Sequence, residues 1–303
     1  TTARLIIQLY KQTSGKIEFS DVEIGSKSSS PADNPLLQKN QNLSTNTELP
    51  SDVSSYTKNQ LRLYREKVKY IFQDPARSLN PRLSVYNVLT AGLKYSSQWQ
   101  GKDKARELAE KIITEVGLSP ADLERRPAEF SGGQRQRISI ARALAMQPEF
   151  IVCDEIVSAL DVSIQAQIVK LMMRLQKELH MSYIFIGHDL SVVRYLSDNI
   201  AVMYLGKIME YTSAETLYEN PLHPYTQALI SAVPIPDPVI DRERKRILLE
   251  GEVPSPINPP KGCNFCTRCP YVTDECRKKE PEYKEIEKNH FVACHLVNGE
   301  GDK

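Results

Sequence analysis

Two acids, Asp154 and Glu155, close the apolar run Phe150-Ile151-Val152-Cys153. An uninterrupted apolar run of that length is the pattern of a parallel strand buried on both faces. In an open α/β sheet, ligands sit at the carboxyl ends of such strands. Adjacent acids at that place can divide the work of phosphoryl transfer, one holding the shell of a magnesium ion and the other orienting and deprotonating water. The alternative is a pair of acids capping the next helix. Upstream stands Phe130, then Ser131-Gly132-Gly133-Gln134, then Arg135-Gln136-Arg137 and a helical pattern. Small residues let the backbone approach a phosphate, and the N–H groups and positive dipole end of a helix favour an anion. The alternative is a serine N-cap with glycines in the preceding turn. Set just ahead of a buried strand ending in Asp-Glu, the anion-binding reading is preferred. His188, in Gly187-His188-Asp189, follows a second apolar run and can hydrogen-bond a terminal phosphate, although a lone histidine there is more often structural. Gln73 follows Phe72 at the end of another strand, where its amide can reach magnesium or the attacking water.

These residues require strands to hold them. Val68–Phe72, Phe150–Cys153 and Tyr183–Ile186 read as strands, with a helix over about 164–179 between the last two, which makes a right-handed crossover unit. Leu5, Ile6 and Leu9 repeat at helical spacing over Thr2–Tyr10, and no N-cap precedes them. A short strand is predicted over Lys16–Phe19, a loop over Gln73–Arg82, and a helical region from there to about Arg142. Residues from about 25 to 59 are rich in Ser, Asn, Thr and Pro and read as a disordered insert. Ile200–Tyr204 and Lys207–Glu210 flank Leu205-Gly206 as a hairpin, and from Pro221 onward prolines and charges dominate.

The chain has 303 residues, 41% hydrophobic and 25% charged, an ordinary globular composition. Lys+Arg 39 against Asp+Glu 38 leaves a net charge of +1, so nothing draws the chain in bulk to nucleic acid or anionic membrane. No apolar run approaches the roughly 20 residues of a membrane span. No secretory signal is read, and the protein is expected in the cytosol unless a partner holds it at a membrane. Of six cysteines, five lie after residue 260, with Cys263, Cys266 and Cys269 spaced C-x-x-C-x-x-C and Cys276 and Cys294 beyond. Such a set suits metal ligation, by zinc or an iron–sulfur cluster, better than disulfides in a cytosolic protein; free thiols are the alternative.

Taken together the motifs resemble the ABC ATPase family, over nearly the whole chain apart from the insert. Ser131-Gly132-Gly133-Gln134 resembles the signature loop, here after Phe130 where Leu is usual. Phe150 to Glu155 resembles the second acidic motif, Ser158-Ala159-Leu160-Asp161 the D-loop, His188 the switch histidine and Gln73 the Q-loop glutamine. The phrases Phe72-Gln73-Asp74-Pro75 and Ser78-Leu79-Asn80-Pro81-Arg82, with His223-Pro224-Tyr225-Thr226 and the cysteine-rich tail, resemble the peptide-importer branch. Ile156 departs from the proline usual there and implies a less rigid turn.

The resemblance implies an α/β fold: a P-loop NTPase-like ABC ATPase core over about 1–215, with a helical subdomain over about 85–142, and a Cys-rich C-terminal extension over 216–303. It implies Glu155, His188 and Gln73 as catalytic residues, and Ser131, Gly132, Gly133, Gln134, Asp154 and Asp161 as residues that bind ATP and magnesium. It implies that Cys263, Cys269, Cys276 and Cys294 hold a 4Fe-4S iron–sulfur cluster, with Cys266 an extra. The implied partners are a second ABC ATPase subunit, two membrane-spanning permease subunits and an extracellular peptide-binding protein, at the cytoplasmic face of the membrane and without nucleic acid. Two such subunits sandwich two ATPs, each between one chain's P-loop and the other's signature loop. No segment here reads G-x-x-x-x-G-K-[ST], the P-loop pattern. Thr1-Thr2-Ala3-Arg4-Leu5-Ile6 resembles the helix that leaves that loop, so the chain is expected to be a fragment and inactive alone. Rival readings are a non-catalytic subunit that lends only its signature loop, and a non-transport ABC ATPase. Dipeptide, oligopeptide and nickel systems share these motifs.

Overall fold

The structure, a computed structural model, describes residues 2–19, 50–234 and 246–298. The chain divides into two compact units, Thr1–His188 and Asp189–Lys303.

The first unit is built on a parallel sheet of three described strands, in the order β1 (Val68–Ile71), β2 (Phe150–Asp154) and β3 (Ser182–Ile186). Its register sets Ile71 beside Cys153 and Asp154 beside Ile186, so the three carboxyl ends finish together. Ile151, Val152 and Cys153 are fully buried, as a central strand requires. Helix α1 (Thr2–Ile6) is shorter than the sequence pattern suggests. Gln8 turns to φ 54, and the amides of Leu9 and Tyr10 both reach the carbonyl of Arg4. The strand expected over Lys16–Phe19 reduces to a single bridge, Glu18 to Asp52. Most of the expected insert lies outside the described residues. Residues 50–59 are described, and they carry a turn at Val53–Ser55 and the start of α2 (Lys58–Lys67). Thr57 caps α2 in a reciprocal capping box with Gln60. Tyr64 of α2 is buried against Ala3, Val53, Val68 and Val152, and its hydroxyl donates to the carbonyl of Ile6 at 2.7 Å.

The helical stretch comprises α3 (Pro75–Ser78), α4 (Val85–Thr90), α5 (Lys102–Glu115) and α6 (Gly132–Leu144). Ala105, Ala109, Ile112 and Ile113 form the buried stripe of α5. The guanidinium of Arg142, on α6, is largely buried and donates to the carbonyl (2.5 Å) and hydroxyl (3.3 Å) of Ser78, tying α6 to the turn that follows Gln73. Helix α7 (Val162–Leu179) completes the crossover between β2 and β3 and ends on His180 at φ 49.

The second unit opens with α8 (Leu190–Leu196) and carries an antiparallel sheet, ordered β4 (Asn199–Tyr204), β5 (Lys207–Ser213), β7 (His290–Val292), β6 (Lys284–Glu287). Two short helices follow β5, α9 (Ala214–Glu219) and α10 (Pro224–Ser231). Glu210 of β5 is fully buried and accepts hydrogen bonds from the amides of Leu222 (2.8 Å) and His223 (3.0 Å), and its carboxylate meets Nε2 of His290 at 2.7 Å. The tail winds through α11 (Asp274–Lys278) to α12 (His295–Asn298). No helix among the described residues is long and apolar enough to cross a membrane.

Candidate active site at the strand ends

The carboxyl ends of the parallel strands deliver polar groups to a common place. Gln73 lies just beyond β1, Asp154 closes β2 with Glu155 next to it, and His188 lies just beyond β3. Nε2 of Gln73 donates to Oε2 of Glu155 at 2.5 Å, and Nδ1 of His188 stands 3.7 Å from Oε1 of the same carboxylate. Glu155 therefore sits between an amide and an imidazole, with its side chain 30% exposed and that of His188 71% exposed. The backbone of Glu155 is left-handed, φ 50, and its amide donates to the carbonyl of Ile186 at 2.8 Å. A non-glycine residue in that conformation costs about 1–3 kcal/mol and persists only where its surroundings over-determine it. Here the bond to β3 and the burial of Ile156 and Val157 hold it. The carbonyl of Glu155 then accepts from the amide (3.1 Å) and hydroxyl (2.9 Å) of Ser158, which turns the chain toward α7.

Asp154 has a partner that motif reading alone did not single out: the hydroxyl of Tyr70, on β1, donates to its Oδ2 at 2.5 Å. Burial, and then that bond, push the Tyr70 phenol up to about 12, so it remains a donor across the neutral range. The only signal in the sequence is an aromatic residue inside a strand, which any half-buried strand can carry.

Asp161 caps α7. Its Oδ1 accepts from the amide of Ile164 (3.0 Å) and the hydroxyl of Ser163 (2.8 Å), bonds that hold the carboxyl below its ordinary range, the backbone bond most.

The Ser131 segment begins α6. Ser131 Oγ accepts from the amide of Gln134 at 3.3 Å, and Oε1 of Gln134 accepts from the amide of Ser131 at 3.0 Å, a closed capping box. Gly132 and Gly133 are the first residues of the helix itself rather than part of a turn before it. They differ in surroundings. A Cβ on Gly132 would meet only Leu160 Cδ2 at 3.8 Å, whereas one on Gly133 would fall 2.6 Å from Ile164 Cγ2. Gly133 is thus required by the packing of α6 on α7.

In the second unit, Cys263, Cys266 and Cys276 are buried with Phe265, Tyr204 and Met209, and Cys269 packs against them. Rings of Tyr204 and Tyr225 lie 5.3 Å from that of Phe265. The amide of Cys263 donates to the carbonyl of Cys276 at 2.8 Å, an approach that only Gly262 permits, because a Cβ there would fall 2.3 Å from that carbonyl oxygen. Burial raises the thiols of Cys263 (to about 11), Cys266, Cys269 and Cys294, and thiol neighbours add to the rise in each. All six cysteines are free, and among the described residues no three His, Cys, Asp or Glu side chains form a set that could hold a metal ion. The tail also holds a small apolar core around Phe265, which the reading of a Pro-rich segment did not anticipate.

The family model described as ABC transporter matches residues 1–158. The chain belongs to the ABC transporter family. The model described as oligopeptide/dipeptide transporter, C-terminal region, matches residues 209–276, within the second unit of this ABC protein. The oligopeptide transport ATP-binding protein AppF of Bacillus subtilis is 46% identical over 299 residues, spanning 98% of this chain and 82% of that protein. YkfD of the same organism is 53% identical over 233 residues, 77% of this chain and 71% of that one. Among solved structures, an ATP-binding cassette in a dimeric, post-hydrolysis state with ADP and Pi is similar at a TM-score of 0.54 and 22% identity, over 70% of this chain and 79% of the other; it bears on the fold alone. The α/β ABC ATPase fold expected from the sequence is thereby established.

Proposed function

We propose that this chain is the ATP-binding and ATP-hydrolysing subunit that energises import of oligopeptides through an ABC membrane transporter. The observation that carries the reading is the Glu155 carboxylate, held by Gln73 on one side with His188 beside it, where three parallel strands end. Glu155 is the general base for the attacking water, Gln73 orients that water or its base, and His188 positions the terminal phosphate. Asp154 fits the shell of magnesium: one carboxylate oxygen is fixed by Tyr70 and the residue closes a buried strand. Bound there, magnesium would neutralise charge on the phosphates. Ser131, Gly132, Gly133 and Gln134 present the start of α6 to a nucleotide held by a second ABC ATPase subunit, and Asp161 lines the same interface.

In this reading residues 1–215 form the ATPase domain and 216–303 the peptide-importer extension. Two permease subunits hold the pair at the cytoplasmic face of the membrane, and an extracellular binding protein supplies the peptide. A chain of these 303 residues alone turns ATP over negligibly, since it contains no G-x-x-x-x-G-K-[ST] segment. The family resemblance alone supports a 4Fe-4S cluster on Cys263, Cys269, Cys276 and Cys294, since among the described residues the free thiols form no metal-holding set. Anaerobic protein that is colourless and iron-free discards the cluster and leaves the ATPase reading untouched.

Peptide uptake tests the whole. Cells lacking this chain should lose uptake of a labelled oligopeptide and regain it with the parent gene. A Ser131→Arg gene should not restore it, because a bulky cation blocks the helix N-terminus. Normal uptake without the chain, or with Ser131→Arg, contradicts the proposal.

A further inference from the structure

Tyr70 and Asp154 lie on neighbouring parallel strands. The register pairs Tyr70 with Val152, two residues before Asp154 and on the same face. A phenol is long enough to span that offset, and its hydroxyl meets Oδ2 of Asp154 at 2.5 Å. The ring is held in place: it packs edge-on against Phe72, with centroids 4.5 Å apart and planes at 86°, and borders the Ala3–Val152 core. A short donor bond from a fixed ring to a carboxylate determines its rotamer, and outer-shell bonds of this kind orient the ligands of a metal.

We propose that Tyr70 is a positioning residue for magnesium at the ATPase site: by donating to Oδ2 of Asp154, it fixes that carboxylate with its other oxygen toward the metal's shell. The inference rests on the ATPase reading above and deepens it. In this inference Tyr70 acts through Asp154, the carboxylate its hydroxyl donates to.

Tyr70→Phe keeps the ring and its contact with Phe72 and removes only the hydroxyl. In the assembled importer carrying the full natural chain, loaded with a non-hydrolysable ATP analogue, binding of manganese as a magnesium substitute is read by its electron paramagnetic resonance. Tyr70→Phe should weaken that binding by about 10- to 100-fold, the usual loss for an outer-shell partner. In turnover, the half-saturating magnesium concentration should rise in parallel, while kcat at saturating magnesium stays within about threefold of the parent. Manganese affinity within about twofold of the parent overturns the inference and leaves Tyr70 as packing. Should Tyr70→Phe fail to assemble, 3-fluorotyrosine at position 70 preserves the shape. Its fluorine resonance should shift when magnesium joins the bound nucleotide, and a resonance indifferent to magnesium overturns the proposal equally. Glu155→Gln separates the two levels: if it arrests turnover while Tyr70→Phe leaves the metal unaffected, only this inference falls. If Glu155→Gln turns over normally, the ATPase reading falls first.

Discussion

Adjacent glycines at the start of α6 should respond oppositely to alanine. In Gly133→Ala the new Cβ lies 2.6 Å from Ile164 Cγ2 and 3.7 Å from Ile164 Cβ and Cδ1. Carbon–carbon contacts are optimal at about 3.5–4.0 Å, so α6 and α7 must part by roughly 1 Å at this point. Ile164 cannot swing aside, because a β-branched side chain in a helix has one strongly preferred rotamer. Overpacking of this kind costs about 1–3 kcal/mol, offset by up to about 1 kcal/mol of helix propensity gained over glycine. In Gly132→Ala the nearest atom is Leu160 Cδ2 at 3.8 Å, an ordinary contact, and the propensity gain stands alone. The two variants should therefore differ by about 1–3 kcal/mol, with Gly133→Ala the less stable. Guanidinium unfolding followed by Trp99, the one tryptophan and a residue of the same unit, reads the difference. Ile164→Ala should relieve Gly133→Ala in a double-mutant cycle, with a coupling of about 0.5–3 kcal/mol. Equal stabilities for the two alanine variants, or no coupling to Ile164, would refute the packing argument.

The second unit yields two more expectations. Glu210→Gln can keep a carbonyl oxygen toward Leu222 and His290 but turns its NH2 against the buried amide of His223, and should destabilise that unit by about 1–3 kcal/mol; amide exchange at Val292 and Ala293 reads it, and unchanged exchange contradicts it. Burial lowers His223 to about 4 in the folded state. The unfolded imidazole takes its proton near pH 6.5, so the contribution is present above that pH and is lost as pH falls from there toward 4, on the order of 3 kcal/mol in all. His223→Asn, which can still cap α10, should flatten that slope in urea titrations between these pH values, and an unchanged slope assigns it to another group.

Strands β2 and β3 are legible because their apolar runs are uninterrupted, one stopping at Asp154 and the other at Gly187-His188, and the convergence of Gln73, Glu155 and His188 follows once such strands lie parallel in register. What the sequence could not convey is pairing at long range. Tyr70 looks like any strand aromatic until β1 lies against β2 and its hydroxyl finds Asp154. Gly133 reads as a phosphate-approach glycine until Ile164 of α7 is placed against it. Local capping hides in a polar context: Thr57, with Gln60, starts α2 at the end of a stretch whose composition suggests disorder. The apolar spacing of Leu9 extends the helical pattern beyond Ile6, whereas the left-handed Gln8 interrupts the backbone there. The β6–β7 hairpin is hidden among charged residues because its buried positions are few, with His290 turned inward by Glu210.

The central claim, that the carboxylate at the end of β2 activates water against ATP, is tested most directly by Glu155→Gln in the assembled importer carrying the full natural chain. Glutamine preserves the shape and a hydrogen-bonding group for Gln73 but cannot accept the proton. ATP should still bind with the parent's affinity, and single-turnover hydrolysis should fall by about 10²- to 10⁴-fold, leaving the complex loaded with unhydrolysed ATP. Hydrolysis within about threefold of the parent contradicts the account and removes Glu155 as the base.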